Sequence, residues 1–180
     1  MMIRNNSNYI IHACFYCLFL ITTIMGCAKH SQGMDHMKRE VTLLSNKDYC
    51  ETAYKNIITF GKDIIPLLIK NSSNETPFEG TIILDPASSF VIDKPSVGVV
   101  SLYLVECILK EKMRPYHVPL IVAKSDKFPY RDGKKLPQTK SENLKKAQEY
   151  YQIWWEKNKN KSIDEIRKTS PLDNTELKWF

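Results

Sequence analysis

This 180-residue chain is poor in the residues that build the common catalytic motifs. It has six glycines and four histidines, and it contains no glycine-rich phosphate loop, no dinucleotide fingerprint, no G-x-S-x-G and no H-E-x-x-H segment. Such glycines let the backbone approach phosphate groups, and H-E-x-x-H places two zinc ligands on one helix face. The absence of these motifs excludes the familiar nucleotide-binding, serine-hydrolase and zinc-hydrolase patterns. The sequence therefore predicts a non-enzyme without cofactor or metal.

Cysteine is scarce in the part of the chain that is expected to fold. Of five cysteines, Cys14 and Cys17 lie within an apolar N-terminal run and Cys27 follows it, which leaves Cys50 and Cys107. In an oxidising compartment these two could pair if their helices are adjacent. Otherwise each acts as a small buried apolar side chain. The sequence leaves both alternatives open.

The apolar run extends from Tyr9 to Met25 and contains no charged residue. It follows Arg4 and a polar segment, as the h-region of a secretory signal does. Its 17 residues are at the lower limit for a membrane-spanning helix. A cleaved signal is the leading interpretation, with an uncleaved anchor helix as the alternative. Either places the domain outside the cytoplasm and disfavours nucleic acid as a partner.

The run ends in Ile24-Met25-Gly26-Cys27, after which the chain becomes polar. This segment resembles the lipobox of bacterial lipoproteins, in which the cysteine is lipidated and becomes the new N-terminus. The resemblance implies a signal peptide over 1–26 and a diacylglyceryl anchor on Cys27. It also implies a location in the cell envelope: the outer membrane facing the periplasm if the cell has two membranes, and otherwise the outer face of the cell membrane.

The remaining 154 residues suffice for one domain with a core. Residues 27–46 have little periodicity and many charges, which predicts a flexible tether. Residues 47–180 are expected to form a single, mainly α domain of about five helices joined by long proline-containing loops. Two β-branched runs between 81 and 92 predict either a small β-hairpin or an ordered loop.

The first two predicted helices meet at Gly61. Apolar residues at helical spacing continue to Phe60, and Asp63 is positioned to cap a second helix that ends at Lys70. The segment Gly61 to Ile69 resembles the second helix of HEAT-like repeats. Because no second copy follows at a fixed period, this predicts a HEAT-like hairpin and not a solenoid.

The strongest predicted core element is the helix from Val97 to Lys110, which is apolar almost all round. Glu106 is the exception, and an acid on a buried helix needs a partner or a raised pKa. A lysine, arginine, tyrosine or backbone donor is the expected partner. A nonstandard catalytic site that pairs Glu106 with His117 is the alternative.

The C-terminal part begins with a predicted capping box, Thr139 and Glu142, and a second box, Ser162 and Glu165, starts a short helix. Trp179 and Phe180 are expected to dock onto the helices, because they are too apolar for a free tail. Net charge is +6, and residues 124–168 carry 13 lysines and arginines against seven acids. This bias favours either an acidic partner or a solvated lysine-rich face.

These patterns predict an envelope protein that acts by binding another protein, with an immunity-type inhibitor as one specific form of that function. The proline-containing loop and the last long helix supply the predicted contact residues, which are aromatic or basic: Phe128, Tyr130, Arg131, Lys134, Lys135 and Trp155. The alternative is a carrier of a small apolar or lipid-like ligand in a pocket lined by Tyr150, Trp154 and Trp155.

Overall fold

A computed structural model describes residues 33–80, 94–112, 115–116, 118–126 and 138–180. The backbone divides into two compact units, Met1–Lys38 and Arg39–Phe180. The described part of the larger unit is mainly helical and has one small antiparallel sheet, which confirms the predicted fold class. The predicted signal peptide and lipobox lie outside the described residues, as do the predicted hairpin over 81–92 and the loop residues from Phe128 to Lys135.

The first described helix, α1, covers residues 33–43, where the sequence predicts a tether. Within the larger unit Val41 and Leu44 are buried, and Glu40 is only 2% exposed. The Glu40 carboxylate accepts hydrogen bonds from Asn56 at 3.1 Å and from Arg39 at 3.2 Å. Residues from Arg39 onward thus belong to the larger compact unit, although the sequence predicts a tether up to residue 46. Glu40 looks solvated in the sequence, but a partner 16 positions away satisfies it.

Helix α2, Cys50–Thr59, ends before Gly61, as predicted. Gly61 has φ +59°, a left-handed conformation that costs glycine little and other residues more. A 3-10 turn, Gly61–Ile64, then leads into α3, Ile65–Asn71, with Pro66 in its first turn, where a missing donor is harmless. The predicted cap at Asp63 is wrong, since Ile64 occupies the N-cap and no side chain caps this helix.

Helix α4, Val97–Lys110, has the predicted bounds and is the centre of the core. Every residue from Val97 to Leu109 is buried, and the helix contacts α2, α3 and α5. The Ser96 hydroxyl caps its start by accepting from the Val99 amide, and Glu111 ends it with φ 51°. A helix that is apolar on all sides has to be surrounded by other elements, which explains this central position.

Helix α5, Ser141–Asn158, and the short helix α6, Ile163–Ile166, complete the helical part. The predicted capping box at Thr139 is wrong: Lys140 is the N-cap, and the Thr139 hydroxyl accepts instead from the Ile121 amide at 2.9 Å. The second box is confirmed, because Ser162 and Glu165 satisfy each other's backbone amides at the start of α6.

The described sheet has two three-residue strands, β1, Ile121–Ala123, and β2, Leu177–Trp179. They are antiparallel, and Val122 lies opposite Lys178. The Phe180 amide donates to the Leu120 carbonyl at 3.0 Å and extends the pairing. Trp179 is only 7% exposed, so the predicted docking of the C-terminus is confirmed. The strand pairing itself was not predicted.

Candidate functional site

A polar cleft of about 620 Å³ opens where three segments of the larger unit meet. The turn after α3 forms one wall, the start of α4 forms the second, and the first two turns of α5 form the third. Hydroxyl, amide and charged side chains predominate in its lining, which comprises Ser72, Ser73, Glu75, Pro95, Ser96, Val99, Gln138, Thr139, Ser141, Glu142, Leu144, Lys145 and Gln148.

Gly98 holds two of these walls together. The Gly98 amide donates to the Asn74 carbonyl at 2.8 Å, and the Val97 amide donates to the Thr76 carbonyl at the same distance. A Cβ atom on Gly98 would lie 2.1 Å from the Ser72 carbonyl oxygen, which is far inside van der Waals contact. Only glycine therefore allows α4 to approach the turn this closely, and that approach fixes the shape of the cleft.

Two hydroxyl groups in the lining of the cleft accept hydrogen bonds from backbone amides. The Ser96 oxygen accepts from the Val99 amide, and the Thr139 oxygen accepts from the Ile121 amide. A hydroxyl has one hydrogen to donate as well as its lone pairs. Within the described residues no acceptor for either hydroxyl hydrogen is seen. Both side chains are therefore held in place by the fold and keep a donor for a bound molecule.

The charged groups of the cleft are of both signs. Glu75 and Glu142 are exposed carboxylates on opposite walls, and Lys145 lies one turn further along α5 from Glu142. Within the part of the chain that the structure describes, none of these three side chains forms an ion pair. The ionised carboxylates only accept hydrogen bonds, whereas the ammonium only donates them. The cleft therefore offers charged acceptors and a charged donor in one space.

The second notable feature is the buried carboxylate of Glu106, which is 0% exposed and lies in the C-terminal half of α4. Its Oε1 accepts from the Tyr151 hydroxyl at 2.6 Å, and its Oε2 accepts from the Tyr116 hydroxyl at 2.9 Å. Tyrosine is one of the partner types that the sequence predicts for Glu106. Burial raises the pKa of Glu106, against the opposing effects of the two tyrosine hydrogen bonds and of Lys110.

The C-terminal strand completes this cluster. Trp179 Nε1 donates to the Tyr151 hydroxyl at 2.9 Å, and its ring stacks on Tyr116 with centroids 5.6 Å apart. Tyr103 meets the same indole edge-on and donates its hydroxyl hydrogen to the Tyr116 carbonyl at 2.8 Å. Burial and the neighbouring Glu106 charge raise the pKa of Tyr151 and of Tyr116. The cluster therefore joins α4, α5 and β2 through groups with occupied hydrogen bonds.

Of the predicted contact residues, the structure describes Trp155 alone. Trp155 is 8% exposed and lies beside Trp154, with ring centroids 6.2 Å apart. Trp154 is equally buried and donates from Nε1 to the Thr169 hydroxyl at 2.9 Å. Both indoles are thus packed into the protein. The other predicted contact residues, the lipidation residue Cys27 and the alternative catalytic residue His117 lie outside the described residues.

The exposed side of α5 mixes charges of both signs. Lys145 and Lys157 alternate there with Glu149 and Glu156, around Ile153, which is 52% exposed. Several of the lysines on or near this helix are paired, as Lys159 is with Glu156 at 2.6 Å. Helix α5 itself carries three lysines and three glutamates, so the basic surplus of residues 124–168 comes from residues outside this helix.

Cys50 and Cys107 are both buried, and no disulfide joins them to each other. Burial raises the pKa of Cys107 to about 12, so its thiol stays protonated at neutral pH. The Cys107 sulfur lies 3.6 Å from the Tyr54 hydroxyl. Over residues 33–80, 94–112, 115–116, 118–126 and 138–180, no three metal-ligating side chains come together. Over the same ranges, no helix is long and apolar enough to cross a membrane.

Comparison with known proteins places the chain in a family. No curated protein and no solved structure matches it. The sequence profile of one family does match, over residues 31–180, which is most of the chain and includes the whole of the described structure. The function of that family is not characterised, as the sequence led us to expect. The chain belongs to the family described as Domain of unknown function (DUF4943).

Proposed function

We propose that this protein is a lipid-anchored binding domain of the cell envelope and that it acts without catalysis. The observation that carries the proposal is the polar cleft at the start of α4 and α5. It has a volume typical of ligand sites, about 300 to 1000 Å³, and its walls are fixed by backbone hydrogen bonds and by the close approach at Gly98. A preformed cleft reduces the entropy cost of binding.

Attachment to the membrane is proposed from Ile24-Met25-Gly26-Cys27. Two acyl chains on Cys27 contribute about 0.8 kcal/mol for each buried methylene, which is ample for a stable tether. The helix pair α2 and α3, which meets at Gly61, is compatible with the proposed HEAT-like hairpin. The compact unit would then stand at the membrane surface, where it can meet molecules of the envelope.

Binding is favoured over catalysis by the surroundings of Glu106. Both of its carboxylate oxygens accept hydrogen bonds from tyrosines, the buried Tyr151 and the half-buried Tyr116, and Trp179 bonds to Tyr151. A general acid needs a proton within reach of a substrate. The geometry instead favours a structural role for Glu106, which supports the proposal that the protein acts by binding.

The carrier alternative loses support for a similar reason. It depended on a pocket lined by Tyr150, Trp154 and Trp155, but both tryptophans are packed against protein atoms. Tyr150 donates to Glu176 at 2.7 Å at the surface. The predicted apolar lining is thus occupied by intramolecular contacts, whereas most of the described lining residues of the cleft are polar.

The protein-binding form of the proposal rests on the loop from Phe128 to Lys135 and remains a prediction. It is tested together with the cleft by chemical crosslinking of the full chain in its own envelope. Four proteins are compared: wild type, Phe128→Ala/Arg131→Ala, Ser73→Trp and Asn160→Trp. Ser73→Trp adds an indole ring to the cleft wall, and Asn160→Trp adds the same ring at an exposed turn outside the cleft.

A component crosslinked to wild type and to Asn160→Trp, but lost from Ser73→Trp, would support binding in the cleft. A protein lost only from Phe128→Ala/Arg131→Ala would assign the binding to the loop instead. If all four proteins crosslink to the same components in equal amounts, or to none, the proposal that the protein acts by binding through either region is wrong.

A further inference from the structure

We propose that the cleft binds a neutral, polyhydroxylated ligand, that is, a carbohydrate chain. This inference rests on the proposed binding function and names the ligand class of the same site. It follows from the kinds of hydrogen-bonding group that the cleft presents, from their charges and from its volume.

The cleft presents hydrogen-bonding groups of different kinds. Ser96 and Thr139 each accept one backbone hydrogen bond, which leaves the hydroxyl hydrogen to donate. Glu75 and Glu142 present acceptors only, and Lys145 presents donors only. A ligand that satisfies all of them has to both donate and accept hydrogen bonds. Hydroxyl groups do both at one oxygen, and a sugar ring carries several of them side by side.

The charges of the cleft are of both signs, so neither a simple anion nor a simple cation suits all of them. An anion would be attracted by Lys145 but repelled by Glu75 and Glu142, and a cation would be attracted by the two carboxylates but repelled by Lys145. Either ion would lose part of its hydration shell next to a protein group of the same sign. That loss costs free energy when the ion becomes buried. A neutral ligand avoids this cost and still gains from hydrogen bonds to charged groups, which are stronger than those between neutral groups.

The remaining lining sets the mode of binding. The apolar side chains of the cleft are Pro95, Val99 and Leu144, and no aromatic ring is present among its described lining residues. These described residues offer hydrogen bonds to the hydroxyl groups at the edges of the sugar rings. A volume of about 620 Å³ suits roughly two or three such rings.

The test measures binding of four neutral trisaccharides, namely maltotriose, cellotriose, mannotriose and xylotriose, by ligand-observed NMR. The full chain is extracted in a detergent without a sugar headgroup, so that the detergent does not occupy the cleft. Each trisaccharide is compared with its permethylated form, which has a similar shape but no hydroxyl donors. Trigalacturonate and fully deacetylated chitotriose are the anionic and cationic probes. Monosaccharides and hexasaccharides of the same sugars distinguish a free sugar from a polymer segment as the source.

We expect saturable binding of at least one neutral trisaccharide, and loss of that binding on permethylation. Glu75→Gln/Glu142→Gln should weaken it about tenfold, because neutral amides replace two charged acceptors. Ser73→Trp should abolish it. The matched controls are Glu149→Gln, on the same helix outside the cleft, and Asn160→Trp, and both should bind as wild type does.

Three results would overturn the inference. The first is no saturable binding of any neutral trisaccharide or hexasaccharide up to about 10 mM. The second is binding that Ser73→Trp leaves unchanged. The third is stronger binding of trigalacturonate or deacetylated chitotriose in the cleft. If the sugars fail while crosslinking in the envelope still depends on Ser73, the ligand class is wrong and the proposed binding function stands; if both fail, both proposals fall.

Discussion

The hydroxyl of Tyr151 donates a 2.6 Å hydrogen bond to Oε1 of Glu106, and neither side chain reaches solvent. The same hydroxyl oxygen accepts from Trp179 Nε1, so one atom joins α4, α5 and the C-terminal strand. Removal of that oxygen would leave a buried carboxylate oxygen and a buried indole N–H without this partner. Unsatisfied groups of this kind are more costly than the net gain from an ordinary hydrogen bond.

Tyr151→Phe should therefore lower the free energy of unfolding by about 2 to 4 kcal/mol, measured by urea denaturation. Tyr150→Phe is the matched control, because it removes a hydroxyl from the neighbouring residue, whose bond to Glu176 lies at the surface. That change should be much smaller, because the bond is exposed to solvent. Equal effects of the two substitutions would contradict the structural role given to Glu106 and Tyr151.

The raised pKa of Glu106 makes stability depend on pH in a defined direction. Its ordinary value is 4.5, and burial raises the pKa in the folded state. Between the two values the folded protein holds a proton that the unfolded chain has lost. The contribution of Glu106 to stability therefore falls as the pH rises above 4.5 and through the folded pKa.

Glu106→Gln should remove this dependence. The measurement is the difference in unfolding free energy between wild type and Glu106→Gln, from pH 4.5 to about pH 8. The unfolding free energy of wild type should fall relative to that of the variant as the pH rises. Glu176 does not interfere, since its pKa of about 2 lies below this range. A difference that stays constant, or that favours wild type more at higher pH, would show that the folded state does not raise this pKa.

Gly98→Ala should strain the contact between α4 and the turn after α3. The new Cβ would lie 2.1 Å from the Ser72 carbonyl oxygen, and this neighbour is backbone that cannot rotate away. Overpacking of this kind costs about 1 to 3 kcal/mol, measured as a lower urea midpoint. Gly33→Ala is the control, because nothing lies within 4 Å of a Cβ there. If Gly98→Ala is as stable as Gly33→Ala, the turn is not held as tightly as its geometry indicates.

Membrane attachment should depend on Cys27. In Cys27→Ala the acyl chains have no site of attachment, so the protein should move from the membrane fraction to the soluble fraction, or remain attached through an uncleaved N-terminal segment. In both cases, metabolic labelling with a radioactive fatty acid should label wild type and should not label Cys27→Ala. Cys50→Ala is the control and should keep its label and its location. Labelling of Cys27→Ala equal to that of wild type would exclude Cys27 as the lipid site.

Much of the helical structure could be predicted because its signals are local. Val97 to Lys110 is apolar on all sides, and only a buried helix accommodates such a segment. The reciprocal bonds of Ser162 and Glu165 involve residues three positions apart, so the capping box was visible in the sequence. The same box was predicted wrongly at Thr139, because the competing partner, the Ile121 amide, is 18 residues away.

The candidate site was not predictable, since its parts come from segments that are distant in sequence. The three walls of the cleft come from residues 72–75, 95–99 and 138–148. None of these segments carries a motif, and their serines, glutamines and glutamates look like ordinary solvated residues. Gly98 was the one available signal, because an isolated glycine in an apolar helix often marks a close backbone approach.

The sequence by itself determined the helical class, the bounds of the central helix, the break at Gly61 and the docking of the C-terminal aromatic residues. These features depend on periodicity, on backbone preferences and on apolar content, which act over a few residues. Tertiary structure alone decided the partners of Glu106, the pairing of β1 with β2 and the polar cleft. Each of these depends on contacts between residues far apart in the chain, which form only when the helices pack.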